Sequence, residues 1–396
     1  MERPGPRARR GGRVRVTFIT GGTGLIGGEM IPRLLNDDAD GIVKVLVRGG
    51  SGEEAAARLD RTLRHLFKEA DLHRARARVT ALHGDITIDR LGLSARDFDG
   101  LAEEVTHVIH SAATTRFDLP YAEARAVNVE GTRHVLALAR RAARARLERL
   151  LHVSTAYVSG DRSGVIREED LEAGQRFVNS YERTKHDAER DVRAAMGEVP
   201  LSVVRPCAVI GDSGTGRTST FNVIYYPLKL VSRGLLRVLP GSPSTPIDLV
   251  PVDYVADAMN HFLLRRDAVG KTFHLTAGDR LETIGTIARL AVLHLNEQRA
   301  AGLRPLPPVR FIPHAIFHRV VKPVLKVLYG QKGRQVIAKL EVYLPYLTTH
   351  KRFDTTNAVR ALRGTGIGAP PLGDYFGRVV QYCLETDWGR VEKTQV

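Results

Sequence analysis

Short runs of Val, Ile and Leu recur along this chain, and between them lie longer stretches whose apolar residues return every three or four positions. The short runs predict strands at Val14–Ile19, Ile42–Val47, Val79–His83, His107–His110, Leu150–Val153, Leu201–Val204 and Thr272–Leu275. The longer period predicts helices near Leu25–Leu35, Glu53–Ala70, Ala122–Ala145, Ser180–Ala195 and Val255–Leu264. Strands that alternate with helices are joined by crossovers, so the pattern implies βαβ units, an α/β class and a doubly wound, mostly parallel sheet. Sheets of this kind bind ligands at the carboxyl ends of their strands.

After Cys207 the alternation fades. Residues Gly211 to Pro246 are rich in Gly, Ser, Thr and Pro and read as a long excursion over the active face. A strand–helix unit returns at Leu249–Leu264, and from Leu281 the chain reads as mainly helical, with a Pro-rich break at Leu303–Pro308. The expected division is a basic tail over 1–13, a nucleotide-binding domain over 14–210 plus 249–277, and a smaller, mainly helical substrate-side region over 211–248 plus 278–396.

Composition narrows the picture. The chain has 396 residues, 43% hydrophobic and 26% charged, which is ordinary for a globular protein. Its formal charge of +15 favours acidic partners such as phosphorylated cofactors, an acidic carrier protein or anionic lipid. Nucleic acid is not expected, because no helix-turn-helix, finger or aromatic–basic interleaving accompanies the charge. Cys207 and Cys383 are the two cysteines, and no C-x-x-C spacing occurs, so neither a disulfide scaffold nor a cysteine zinc site is expected, and no metal. The Arg-rich start, Met1 to Arg15, lacks an apolar core, and no apolar run is long enough to span a bilayer, so cytoplasmic residence is the expectation.

The first strand runs into Thr20-Gly21-Gly22-Thr23-Gly24-Leu25-Ile26-Gly27. Gly22, Gly24 and Gly27 fit G-x-G-x-x-G, and Gly21, Gly24 and Gly27 fit the variant with two residues between each pair. Backbone here must approach a pyrophosphate without a Cβ in the way, while the next helix offers its N–H groups to the charge. The motif follows an apolar strand and opens a helix, as a Rossmann-type dinucleotide site requires. Gly21, Thr23, Gly24, Leu25, Ile26 and Gly27 are the candidate phosphate cradle. The second strand ends at Arg48 where a carboxylate would meet a free ribose 2′-hydroxyl; a guanidinium suits a 2′-phosphate instead, with Arg58 as a second cation, so the expected cofactor is NADPH/NADP. His83-Gly84-Asp85-Ile86 closes the third strand. Asp85 is a candidate acceptor for the adenine amino group or a turn carboxylate, and Ile86 a candidate wall for the ring. Ser111, Ala112 and Ala113 follow the fourth strand and are small enough to let a ribose lie close, while His110 reads as a core histidine.

Tyr181 and Lys185 stand four apart at a predicted helix start, on one face. A neighbouring ammonium is expected to lower the phenol's pKa and fit it for proton transfer. The fifth strand ends at Ser154-Thr155. Thr155 is the hydroxyl expected to face a substrate carbonyl, with Ser154 as the alternative. Asn128 is a candidate to hold a water or a backbone carbonyl near Lys185, or it marks a local helix distortion.

The order of glycine loop, His-Gly-Asp, Ser-Thr and Tyr-x-x-x-Lys resembles the extended short-chain dehydrogenase/reductase superfamily. Leu46-Val47-Arg48, His110-Ser111-Ala112-Ala113 with Phe117-Asp118, Arg205-Pro206-Cys207-Ala208-Val209-Ile210-Gly211-Asp212 and Asp248-Leu249-Val250-Pro251-Val252-Asp253-Tyr254 are similar to its thioester-reductase and fatty acyl-CoA reductase branch, the male-sterility type. A fainter likeness lies at Tyr346 to Asn357. The resemblance implies hydride transfer from NADPH to an acyl thioester carried on CoA or an acyl carrier protein. It places Tyr181 as proton donor, Thr155 at the oxyanion, Lys185 on the cofactor and Pro206 beside it. The product is an aldehyde, or an alcohol after a second hydride. With no adenylation domain in view, the acyl group is expected to arrive already activated. The alternative is an extended reductase, dehydrogenase or epimerase acting on a sterol, ketone or nucleotide sugar. Finally, Ile316, Val320, Val324 and Leu328 recur every four residues, with Lys322, Lys326 and Lys332 off that stripe. This basic amphipathic stretch is a candidate peripheral membrane contact or acyl-pocket cover, or a cap helix with its apolar side inward.

Overall fold

The structure is a computed structural model that describes residues 14–221, 224–300, 302–324, 331, 341–347 and 349–391; the basic tail 1–13 lies outside them. Seven strands make one sheet: β1 (Val16–Thr20), β2 (Ile42–Val47), β3 (Val79–His83), β4 (His107–His110), β5 (Arg149–Val153), β6 (Leu201–Pro206) and β7 (Thr272–Leu275). They pair in parallel in the order β7-β6-β5-β4-β1-β2-β3. The order reverses between β1 and β4, so the loops leaving these two strands diverge and open a crevice.

Successive residues of a strand face opposite sides, and both sides are apolar here because helices cover both. Ile19, Val43, Val45, Ile109, Leu151 and Val204 pack with helices α1 (Leu25–Asp37), α2 (Gly52–Leu66) and Val252–Leu264. Phe18, Leu46, Val108, Leu150 and Val203 pack on the other side with helices Ala95–Glu104, Gly131–Ala143 and Ser180–Ala194.

The helix expected across Glu53–Ala70 is two helices. α2 stops at Leu66, Phe67 is extended (φ −118°, ψ 146°), and a second helix runs over Glu69–Arg78. The buried stripes explain the break: Leu59, Leu63 and Leu66 are in step, but Leu72 follows Leu66 by six residues, where an unbroken helix would need about seven. The stretch expected as one helix over Ala122–Ala145 contains a single wide turn, Ala126–Glu130, before Gly131–Ala143.

A third core, built by Tyr225, Leu228, Val231, Ile287, Ala291, Leu295, Phe376, Val379 and Cys383, surrounds Ile210 and Leu249. Short strand pairs stitch this side together: Ala208–Ile210 with Leu249–Pro251, Val238–Pro240 with Arg310–Ile312, and Pro246–Ile247 with Glu282–Thr283. A fourth pair joins Gly164–Ile166 to Lys351–Phe353, and Phe353, Ala358, Leu362 and Ala369 then pack into the first core, on the sheet. Both cysteines are buried and free.

The C-terminal stripe does not turn inward where it is described. Ile316, Val320 and Val324 are 48%, 55% and 47% exposed, and Phe317 is the residue that buries. Leu328, Lys326 and Lys332 lie outside the described residues, and Lys322 pairs with Glu341. Among the described residues no helix is long and apolar enough to cross a membrane.

Candidate active site

At the crevice β1 delivers Gly21 in the left-handed region (φ 75°), where a Cβ would lie 2.6 Å from Ala112 N. A Cβ on Gly27 would overlap the Gly21 carbonyl oxygen, so the loop and the helix that follows are locked together at both ends of the motif. Gly24 starts α1 without a side-chain cap, and no acidic residue stands in the first turn. The leading N–H groups, at Leu25, Ile26 and Gly27, are thus presented to the crevice rather than to a capping side chain, which fits a phosphate. Thr23 lies on the half-exposed rim of this loop. Ser111, Ala112 and Ala113 line the opposite side, Ser111 N donating to Thr20 O at 3.1 Å.

Arg48 is exposed at the end of β2, and Arg58 reaches back to its carbonyl oxygen at 3.5 Å, so the two residues meet at the carboxyl end of that strand. Asp85 uses Oδ1 to accept from Thr87 N at 2.8 Å and from Thr87 Oγ1 at 2.9 Å, which is the turn role. Ile86, expected against an adenine ring, is buried and packs in the second core beside Gly131, whose missing Cβ leaves it room. His110 is a satisfied core histidine: Nδ1 meets Thr20 Oγ1 at 2.7 Å, Nε2 meets Thr132 Oγ1 at 2.9 Å, and burial pushes its pKa down to about 3.

Beyond β5 the two adjacent hydroxyls part. Ser154 Oγ donates to Glu189 Oε2 at 2.6 Å and is thereby committed below the site. Thr155 points the other way, its Oγ1 donating to Pro206 O at 3.4 Å and accepting from Tyr157 N at 3.3 Å. Tyr181 also packs its ring on Phe117, with centroids 5.5 Å apart. Burial of its hydroxyl pushes the phenol up to about 12, and the nearby Thr155 hydroxyl only partly offsets this. This corrects the expectation that Lys185 would lower it. Lys185 Nζ donates to Val153 O at 2.7 Å, and burial pushes that ammonium down to about 8.

Asn128 sits in the wide turn, and its amide is used on three sides. Oδ1 accepts from Thr114 N at 2.8 Å, while Nδ2 donates to Thr114 O at 3.1 Å and to Thr184 Oγ1 at 2.9 Å. It ties the loop after β4, through Thr114, to the helix of Tyr181, through Thr184.

Sequence reasoning passed over Glu189. It lies four residues past Lys185 on the same helical face, which was a usable signal. Burial pushes Glu189 up, yet the charge and hydrogen bonds of Arg205, with Arg193 and Ser154, outweigh it and hold the carboxylate at about 2. Arg205 reaches Glu189 Oε1 at 2.7 Å, both side chains being essentially unexposed. Among the described residues no cluster of His, Cys, Asp or Glu is arranged to hold a metal.

A family profile described as male sterility protein matches residues 19–259. A linear gramicidin synthase of Brevibacillus parabrevis is 32% identical over 272 residues, covering 66% of this chain and 5% of that protein. The fatty acyl-CoA reductase wat of Drosophila melanogaster is 30% identical over 277 residues, covering 61% of this chain and 52% of its own length. The match therefore spans about half of that reductase and a small part of the synthase. In three dimensions, the terminal R domain from the myxalamid PKS-NRPS biosynthetic pathway superposes with a TM-score of 0.81 at 27% identity, covering 96% of this chain and 93% of that one.

Proposed function

The chain belongs to the male sterility protein family, and from that premise we propose that it reduces an acyl thioester, carried on CoA or on an acyl carrier protein, to an aldehyde with NADPH. The observation that carries this reading is that Tyr181 and Lys185 share one face of the helix Ser180–Ala194, with Lys185 Nζ donating to Val153 O at 2.7 Å, at the same carboxyl ends of the parallel strands that deliver the glycine-lined cradle and Thr155.

Gly21 to Gly27, with the first turn of α1, would hold the pyrophosphate, Arg48 and Arg58 the 2′-phosphate, and Ser111 to Ala113, Pro206 and Lys185 the nicotinamide half. When bound, the reduced nicotinamide supplies a hydride to the carbonyl carbon. Thr155 and Tyr181 present two hydroxyls to the carbonyl oxygen, where negative charge develops. A phenol at about 12 is protonated throughout the neutral range, so Tyr181 enters this step as an acid, the state reduction requires. The oxygen takes the Tyr181 proton, and the resulting hemithioacetal expels the thiol to leave the aldehyde. Lys185, one helical turn on, would bring its positive charge to the phenolate once the proton has left, a charge that does not act on the resting phenol. A second hydride to the aldehyde would give the alcohol.

The test incubates the protein with NADPH and acyl-CoAs of several lengths, or an acylated carrier protein, following NADPH loss and identifying products. Acyl-dependent oxidation with aldehyde or alcohol formed is expected, falling about 10²- to 10⁴-fold in Tyr181→Phe. No acyl-dependent oxidation across the panel would overturn the reading.

A further inference from the structure

The helix that carries Tyr181 begins in a capping box, and a tyrosine from far along the chain is inserted into that box. Asn179 is the N-cap, its Oδ1 accepting from Glu182 N at 2.9 Å. Glu182 turns back so that its Oε2 accepts from Val178 N at 3.2 Å. Each cap residue then has one polar atom left over, Asn179 Nδ2 and Glu182 Oε1. The hydroxyl of Tyr346 meets both: it accepts from Asn179 Nδ2 at 2.9 Å and donates to Glu182 Oε1 at 2.7 Å.

The ring of Tyr346 is equally engaged. It stands edge-on to Tyr157 at 5.2 Å and lies 5.9 Å from Phe117, the residue that packs against Tyr181. Lys351, five residues on, donates to Gly160 O and lies 6.0 Å over the Tyr157 ring. Glu182 is wholly buried, so a carboxylate oxygen left without its donor there is costly.

Tyr181 is the second residue of its helix. A first helical turn lacks intrahelical partners for its N–H groups and is held only as well as its cap. We propose that Tyr346 is a positioning residue: by closing the capping box it fixes the first turn that carries Tyr181, and so couples the seating of the turn Leu344–Leu347 to the alignment of the proton donor. The coupling rests on the role given to Tyr181 above. It predicts a loss in the chemical step rather than in cofactor binding, since the phosphate cradle lies on other elements.

Tyr346→Phe keeps the ring and removes the hydroxyl. The expected result is a kcat for thioester reduction lower by about 10- to 100-fold, the range set by misplacing a reacting group by an ångström or less. The KM for NADPH is expected to hold, and amide hydrogen exchange to quicken across 178–184 and not in the sheet. Asn179→Ser retains a capping oxygen for Glu182 N but loses the donor to Tyr346, and is expected to show a smaller change of the same kind. Wild-type kcat together with wild-type exchange at 178–184 would overturn the proposal. So would a kcat loss accompanied by quickened exchange throughout the sheet, the mark of a merely structural role. Exchange needs no substrate, so a wild-type protein silent on every thioester would defeat the proposed reaction and leave the exchange result to judge the coupling.

Discussion

At the nucleotide end of the crevice, space decides the geometry: Gly21 sits against Ala112, Gly27 against Gly21, and a methyl group at either would displace backbone. At the catalytic end, side chains from distant segments decide it. Glu189 draws Ser154 aside and neutralises Arg205, Asn128 ties Thr114 to Thr184, and Tyr346 reaches Asn179 and Glu182. The first end is made by backbone packed on backbone, the glycine turn against the loop after β4. The second is a shared construction, and it inherits the weaknesses of each contributor.

The sharpest break of that comparison is Glu189→Ala. It strands the Arg205 charge in the core and is expected to lower stability by about 3–5 kcal/mol, read by chemical denaturation. A loss under about 1 kcal/mol would mean that the catalytic end does not lean on this pair. Next in size is Gly27→Ala, which forces the turn apart at about 1–3 kcal/mol, or roughly 5- to 150-fold in NADPH affinity by titration. Unchanged affinity would show that the cradle tolerates a side chain after all. The smallest effect separates the ends by pH. Lys185, held by burial at about 8, is charged below that pH and neutral above it, whereas backbone N–H groups at the cradle do not titrate. Thioester reduction is expected to fall toward about tenfold per pH unit above that point, with cofactor affinity changing much less. A rate flat to about pH 10 would set the Lys185 charge aside.

These differences also explain what could be read from residues alone. The strands of the sheet were legible because a buried parallel strand is a short apolar run with nothing to imitate it, and Ile42–Val47 and Thr272–Leu275 have the same ends in sequence and structure. The glycine turn was legible because its requirement is local. Alternation along the strand favours Thr155 over Ser154, but the reason that the two part was hidden, since Glu189, which takes up Ser154, comes from another helix. The phenol's upward shift was hidden for a related reason: desolvation belongs to the assembled surroundings, and no spacing of Tyr and Lys encodes it. The cap's strand pairs, two or three residues long, are too short for a period to register.

The position of β7 has a consequence for how the chain is made. Among the described residues it pairs with β6 alone, and residues 207–271 stand between the two in sequence. A ribosome releases β6 well ahead of the strand that covers it, and until Thr272–Leu275 emerges that flank offers bare N–H and C=O groups to any extended segment nearby. Fragments ending short of Thr272 keep this template permanently open, so the adhesive interval of synthesis becomes their resting state.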